Sequence, residues 1–283
     1  MLQKIEKASK TGVLSLTNHG LAAIPSAVFQ LVTVRTLDLS NNKLKVLPDA
    51  LANLKALKSL NCEHNKLTKG SISPSLVHLN NLAILSLGHN RLGKNAEESI
   101  TENSIKKKVK ASATQDIILP IIPSLKQLKL NDNQLHTIPP QICSPLLVKL
   151  ELLDLSNNNI EILPSGIQHL VALQSLNLDH NALLSLPDEM KALSKLKSLS
   201  LQHNQIHVIR HDDNRNNKYP QPLPSSLFTD TALIDLNLAG NPMTNTQLNE
   251  FEGFSTFLER RQRLKSKNIY GGALTDLSVC GLD

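Results

Sequence analysis

Four histidines recur at matched positions and could take part in chemistry. His64 and His89 align in two consecutive copies of a repeating pattern, and so do His180 and His203. Two imidazoles on neighbouring repeats could share a metal ion or form a pH-sensitive contact. A zinc site needs three or four ligands, however, and neither pair has a cysteine partner. We interpret the histidines as polar surface residues, predict no metal or other cofactor, and keep the pH-sensitive contact as an alternative.

No catalytic motif accompanies these residues. The sequence contains no HExxH zinc motif, no GxxxxGK[ST] phosphate loop and no GxSxG nucleophile elbow. Combinations of Asp, Ser and His do occur, but each belongs to a column that recurs along the chain, and a structural repeat explains them. Cys62 and Cys143 lie in apolar settings typical of small buried side chains rather than of nucleophiles. We therefore predict a protein that is not an enzyme and has no small-molecule substrate.

The segments around the histidines follow one template, L-x-x-L-x-L-x-x-N-x-L, which fits the chain nine times. The two central leucines of each copy are two residues apart and share one face of a short strand. The asparagine lies where the chain leaves the strand, so its amide can bond to backbone groups and form a ladder between copies. His19 replaces the asparagine in the first copy, and the other copies contain Asn42, Asn65, Asn90, Asn133, Asn158, Asn181, Asn204 and Asn241.

The repeat determines the predicted fold class. One copy cannot bury its apolar side alone, so the copies must stack. We predict an α/β solenoid, curved as a horseshoe, with a parallel β-sheet on its concave side. Most copies continue with "IP" or "LP", as at Leu47-Pro48 and Leu186-Pro187, and proline suits the entry to a helical turn. Helical or 3₁₀ turns are therefore predicted on the convex side.

This pattern, over residues 12 to 245, resembles the leucine-rich repeat superfamily. The 23-residue period with "LP" after the asparagine is similar to the intracellular Ras-group type. The two ends, "KASKTGVLSLTNHGLAAIP" and "NEFEGFSTFLERRQRLKSK", resemble those of a small cytoplasmic member. The resemblance implies a protein-binding solenoid without an enzyme domain.

The chain is predicted to have covered ends and two inserts. Residues 1–11 would form an N-terminal helical cap, 12–245 the solenoid of about nine repeats, 246–267 a C-terminal capping helix and 268–283 a flexible tail. Irregular repeat spacing places the inserts near 93–116 and 207–222, where polar composition predicts surface loops.

The polar residues between the leucines are the predicted partner-binding surface, since they would line the concave face. Their mixed charge and the lack of an apolar anchor favour a polar contact of moderate affinity; a merely solvated sheet is the alternative. The predicted contact residues are Arg35, Asp38, Lys58, Asn61, Glu63, His64, His89, Lys126, Lys129, Asp132, Glu151, Asp154, Asn177, Asp179, His180, Lys197, Gln202 and His203.

The positive charge of the chain is local. The net charge is +6, yet outside the runs at 106–110 and 260–267 only 21 basic residues face 24 acidic ones. Seven aromatic residues and no Trp supply few stacking platforms for nucleic acid. We predict an intracellular scaffold or regulatory adaptor in a small-GTPase, kinase or phosphatase pathway. The alternative is a peripheral membrane or nucleic-acid-associated protein that acts through the two basic runs.

Three widely spaced cysteines, no N-x-Ser/Thr sequon and no apolar signal segment fit a reducing compartment. We therefore expect a cytoplasmic protein, with the nucleus as an alternative location.

Overall fold

The predicted strands form at the central leucines of the repeats. The computed structural model describes residues 2–94, 118–208, 221–268 and 279–282. Within these ranges each strand is three residues long, and its middle leucine points into the core. The strands are β1 Val13–Ser15, β2 Thr36–Asp38, β3 Ser59–Asn61, β4 Ile84–Ser86, β5 Gln127–Lys129, β6 Leu152–Asp154, β7 Ser175–Asn177, β8 Ser198–Ser200 and β9 Asp235–Asn237.

The chain forms two units. Unit 1 comprises residues 1–135 and 139–147 and contains β1 to β5; unit 2 comprises residues 136–138 and 148–283 and contains β6 to β9. In each unit consecutive strands pair in parallel and equivalent leucines stand opposite one another, as Leu37 and Leu60 do. These leucines are at most 3% exposed. Parallel strands in chain order, with stacked leucines, confirm the predicted repeat solenoid.

Short 3₁₀ helices carry the chain back after the strands. In five of them a proline such as Pro48 or Pro187 immediately precedes the first helical residue. Their apolar residues, including Leu51 and Met190, complete the core. The helices of this kind are Ser26–Gln30, Asp49–Asn53, Pro74–His78, Pro140–Cys143, Ser165–His169 and Asp188–Ala192. The prediction of helical or 3₁₀ turns is thereby confirmed.

The asparagine column forms the predicted ladder within each unit. The Asn65 Nδ2 group donates to the carbonyl oxygens of Leu39 and Cys62 at 3.0 and 3.1 Å, while its Oδ1 accepts from the Leu44 N–H at 3.0 Å. Asn204 makes the equivalent bonds in unit 2. Each amide therefore joins two consecutive repeats, which satisfies backbone groups that would otherwise be buried without a partner.

Helices pack at the first and last repeats. The N-terminal helix, α1 Leu2–Thr11, buries Ile5 and Ala8 and packs against β1. After β8 comes a single helical turn, α2 Ser226–Thr229, and after β9 come α3 Asn245–Asn249 and α4 Phe254–Asn268. The single helix predicted over 246–267 is thus two helices. Gly253, at φ +83°, separates them, and a Cβ there would lie 2.7 Å from Thr229 Cγ2.

The end of the chain is packed, which corrects the prediction of a flexible tail for residues 279–282. A 3₁₀ turn, Val279–Gly281, lies beside β9, where the Leu238 N–H donates to the Cys280 carbonyl at 2.7 Å. Cys280 and Leu282 are buried. The Asn245 Nδ2 group donates to the Leu282 carbonyl at 2.5 Å. The predicted inserts and the run at 106–110 lie almost wholly outside the described residues.

Candidate partner-binding face

The open face is the side of the strands that faces away from the leucine core. Residues on either side of a buried strand leucine, such as Thr36 and Asp38 around Leu37, lie on this face because side chains alternate along a strand. Parallel register then places equivalent residues of consecutive repeats side by side, about 4.8 Å apart. The predicted contact residues consequently form columns, and each column has its own structural setting.

The column just before the strands contains the best-exposed predicted residues. Arg35, Lys58, Lys126 and Lys197 are exposed, and Glu151 is half-buried. No acidic side chain among the described residues forms an ion pair with Arg35 or Lys58. Arg35 and Lys58 are therefore available to a partner.

The column at the end of the strands has a second role that the sequence did not reveal. The Oδ1 atoms of Asp38, Asn61, Asp154 and Asn177 each accept the backbone N–H two residues later, at 2.9 to 3.0 Å. These hydrogen bonds shape the turn that follows each strand. Lys129 holds the same column position in β5 without such a bond and is half-buried. The four Asp and Asn residues are therefore part of the fold as well as of the open face.

Two positions further on, the polar residues contact one another. Asp179 Oδ1 accepts the Gln202 backbone N–H at 2.7 Å, and Asp179 Oδ2 accepts from Gln202 Nε2 at 3.3 Å. Glu63 is half-buried in the equivalent place in unit 1. The Asp179–Gln202 contact joins consecutive repeats, so its side chains are already ordered.

The histidine column is explained by the backbone. His64, His89, Asp132, His180 and His203 all have φ between 51° and 55°, in the left-handed region. Asn, Asp and His tolerate this conformation better than other side chains that bear a Cβ. The sequence signal was present, because the residue before each ladder asparagine is always Asn, Asp, His or Gly. We conclude that backbone conformation restricts the residue types in this column before any ligand does.

The histidine pairs are stacked. The ring centroids of His64 and His89 are 3.9 Å apart with an interplanar angle of 7°, and those of His180 and His203 are 4.4 Å apart at 18°. Nearly parallel rings direct their nitrogen lone pairs side by side rather than toward one point, which disfavours a shared ion. Among the described residues no group of three or more potential ligands could hold a metal. His89 Nδ1 instead lies 3.5 Å from Asp132 Oδ2.

Sequence reasoning missed the column at the first strand residue. The repeat template treats this position as unspecified, yet Val13, Ile84 and Leu152 occupy it on the open face. Val13 is 56% exposed, and the other two are half-buried. The inference that the face lacks an apolar anchor was therefore wrong, because each unit has at least one aliphatic side chain there.

The cysteines are buried and free of disulfides. Burial raises the pKa of the Cys143 thiol to about 11 and, as the largest cause, that of Cys280 to about 12. The pKa of the Cys62 thiol is raised further by burial and by the charge of Asp38. Thiols with raised pKa values are poor nucleophiles. The prediction that Cys62 and Cys143 are buried side chains is confirmed.

Comparison with known proteins agrees with the strand and ladder geometry. Residues 10–67 and 123–183 match the model of a leucine-rich repeat family. Over these two segments the chain is similar to leucine-rich repeat proteins. No curated protein matches its sequence significantly.

Three solved structures of repeat proteins and receptors are similar to it. A leucine-rich repeat protein of Leptospira interrogans shares 26% identity with a TM-score of 0.53, over 86% of this chain and 72% of the other. The repeat ectodomain of an Arabidopsis thaliana receptor kinase, in complex with Casparian strip integrity factor 2, shares 26% identity with a TM-score of 0.54. That match covers 80% of this chain and 24% of the ectodomain. A TDR receptor, 20% identical with a TM-score of 0.60 over 84% of this chain and 37% of the receptor, is similar in fold alone.

Proposed function

We propose that this protein is a leucine-rich repeat protein and acts as a non-enzymatic scaffold or regulatory adaptor that binds a protein partner through its open face. The observation that carries the proposal is the pairing of exposed charged side chains with aliphatic ones on that face, as with Lys58 and Ile84. Polar side chains with an apolar anchor are what a protein interface requires. Leucine-rich repeats generally mediate protein–protein interaction, and the Arabidopsis ectodomain was solved in a complex.

We place this function in the cytoplasm or nucleus, within a small-GTPase, kinase or phosphatase pathway. Buried cysteines without disulfides support a reducing compartment. The 23-residue period, similar to the Ras-group type, and the likeness of both chain ends to leucine-rich repeat-containing protein 57 support an intracellular signalling role. Co-purification with a cytoplasmic signalling protein tests this placement.

The basic runs support a membrane or nucleic-acid function less well. In the run at 260–267, the Arg260 guanidinium donates to the carbonyls of Leu233 and Phe228, both at 2.8 Å. Arg263 pairs with Glu259 one helical turn away. Arg260 therefore holds α4 against the last repeat rather than reaching for phosphate. In the described residues, no helix is long and apolar enough to span a bilayer.

Steric blocking of the open face tests the proposal. Ser59 and Ser175 lie in the first-residue column of β3 and β7, and their hydroxyls form no hydrogen bond within the described residues. Ser59→Arg with Ser175→Arg should abolish capture of a partner from cell extract, because two long side chains would keep a binding segment off the strands.

The matched control places the same two arginines away from the strands. Val46 is 55% exposed and Val171 is 44% exposed, and neither lies on the open face. Val46→Arg with Val171→Arg should capture the same partner as the native chain. Loss of the partner from the control variant alone would contradict the proposal, and equal capture by all three proteins would do so as well.

A further inference from the structure

The row of residues just before the strands of unit 1 contains three cations. Backbone hydrogen bonds of 2.7 to 2.8 Å link Gly12, Arg35, Lys58, Ala83 and Lys126 in that order, one from each repeat. Arg35 and Lys58 are therefore immediate neighbours, about 4.8 Å apart along the row. Lys126 follows Ala83 in the row, and Lys129 lies three residues later, at the end of β5. We call Arg35, Lys58 and Lys129 the basic patch.

Within the described part of the chain, the basic patch is not neutralised by the nearby acids. Arg35, Lys58 and Lys129 form no ion pair there. Asp38 accepts the Ser40 N–H, and Asp132 contacts His89 and Asn131. Like charges side by side on a sheet are unfavourable. Stacking of the repeats does not require cations to lie next to one another. Their placement side by side, despite the repulsion, therefore favours a role for the basic patch in binding.

A shallow apolar site lies inside the patch. The residues near Ile84 in its repeat are small, namely Ala83, Ser86 and Gly88. In the parallel register Ile84 lies opposite Ser59 on β3 and Gln127 on β5. Lys58 immediately precedes Ser59, and Lys129 lies opposite Ser86. The two bordering strands are about 10 Å apart, a distance that an extended chain covers in about three residues. An aliphatic side chain resting on Ile84 would thus have a lysine placed diagonally on each side.

Unit 2 does not repeat this arrangement. The equivalent positions of its row hold Glu151, Gln174, Lys197 and Ile234. One acid, one amide, one cation and one aliphatic residue make no basic row. The charge pattern is therefore a property of unit 1 and not of the repeat template.

We propose that the basic patch binds an acidic segment of a protein partner, an extended stretch in which carboxylates flank an aliphatic residue. The carboxylates pair with the patch, and the aliphatic side chain packs on Ile84. A protein ligand is favoured over nucleic acid because no Phe, Tyr or Trp lies on the strands of this face to stack on bases. This inference rests on the proposed function and names the chemistry of the partner.

The test uses the full chain and a fluorescein-labelled peptide with Asp-Glu-Leu-Glu-Asp at its centre. Fluorescence anisotropy should show binding that weakens as salt is raised. The variant Arg35→Gln/Lys58→Gln/Lys129→Gln should lose affinity by about tenfold or more, since charged contacts to carboxylates are the stronger kind. The matched control Lys197→Gln removes a cation from the same row in unit 2 and should bind as the native chain does.

A pair of changes at one site makes the test independent of the triple variant's stability. Ala83 lies between Lys58 and Lys126, so Ala83→Lys should tighten binding and Ala83→Glu should weaken it. The same peptide with Asn-Gln-Leu-Gln-Asn at its centre should bind neither variant.

Three results would overturn this inference. They are no binding of the acidic peptide, equal affinity of the native and triple-variant chains, and tighter patch-dependent binding of a single-stranded RNA or of phosphatidylserine vesicles. Failure here, with partner capture still blocked by Ser59→Arg and Ser175→Arg, would leave the proposed function intact. Loss of that blocking effect would instead contradict the proposed function itself.

Discussion

Replacing one ladder asparagine should destabilise the protein by an amount that can be worked out from its contacts. Asn65 is 8% exposed and accepts the N–H of Leu44, which is fully buried. Its Nδ2 group shares two hydrogens among the carbonyls of Leu39, Cys62 and Glu63. In Asn65→Ala all of these bonds are lost.

The backbone groups that lose Asn65 as a partner are not affected equally, because most of them have a second hydrogen-bond partner. Each of the three carbonyls keeps another donor, namely the Asn42 side chain, the Asn90 side chain and the Asn41 N–H respectively. The Leu44 N–H keeps none among the contacts described. One orphaned buried donor costs about 1–3 kcal/mol, and two lost hydrogen bonds cost about 0.5–1.5 kcal/mol each. We therefore expect Asn65→Ala to lower the free energy of unfolding by about 2–6 kcal/mol.

Thermal unfolding followed by far-ultraviolet circular dichroism measures this effect. For a chain of this size the melting temperature should fall by roughly 6–18 °C. Lys66→Ala, a change at the exposed neighbour, is the control and should leave it within about 2 °C. A drop for Asn65→Ala no larger than the control's would refute the argument that the ladder stabilises the stack.

Three further predictions concern the turns and the chain end. His64→Val should destabilise the protein by about 1–2 kcal/mol while His64→Asn should be nearly neutral, because only the first forces a β-branched residue into a left-handed backbone; urea unfolding compares them. Leu282→Asp should release residues 279–282 from their packing and make the Cys280 thiol reactive toward a disulfide reagent at pH 8, a pH at which the native thiol is protonated. Labelling followed by peptide mapping identifies the modified cysteine. Hydrogen bonds from Ser73 and from a second serine lower the pKa of the exposed Asp49 carboxyl. The stability that these bonds contribute is complete above the unfolded-state pKa of Asp49 and is lost as the pH falls through its folded-state pKa. Ser73→Ala should raise the folded-state pKa of Asp49, which an NMR titration measures.

The strands and return turns could be predicted because the leucine spacing determines them. A leucine at every second position of a short strand leaves one way to bury the chain, as Leu176 and Leu178 illustrate. The asparagine ladder followed from the same alignment. The ends of the solenoid were harder, since the break at Gly253 depends on the approach of Thr229 from a distant part of the sequence.

The sequence predicted which residues belong to the candidate site but not which of them also have a structural role. The template identified the open-face residues, yet it could not separate Lys58, which forms no ion pair with another described residue, from Asp38, which caps a turn. That distinction depends on hydrogen-bond geometry rather than on residue type. Ile84 was overlooked because a repeat template marks its position as variable, and variable positions are where recognition by a repeat protein resides.

Photo-crosslinking in cells tests the central claim most directly. A benzophenone amino acid placed singly at Ser59, Ser175, Val46 or Val171 reports which surface a partner touches. The account predicts covalent adducts with one protein partner from Ser59 and Ser175, on the open face, and none of that adduct from Val46 and Val171. Adducts formed from Val46 or Val171, with none from the two serines, would contradict it.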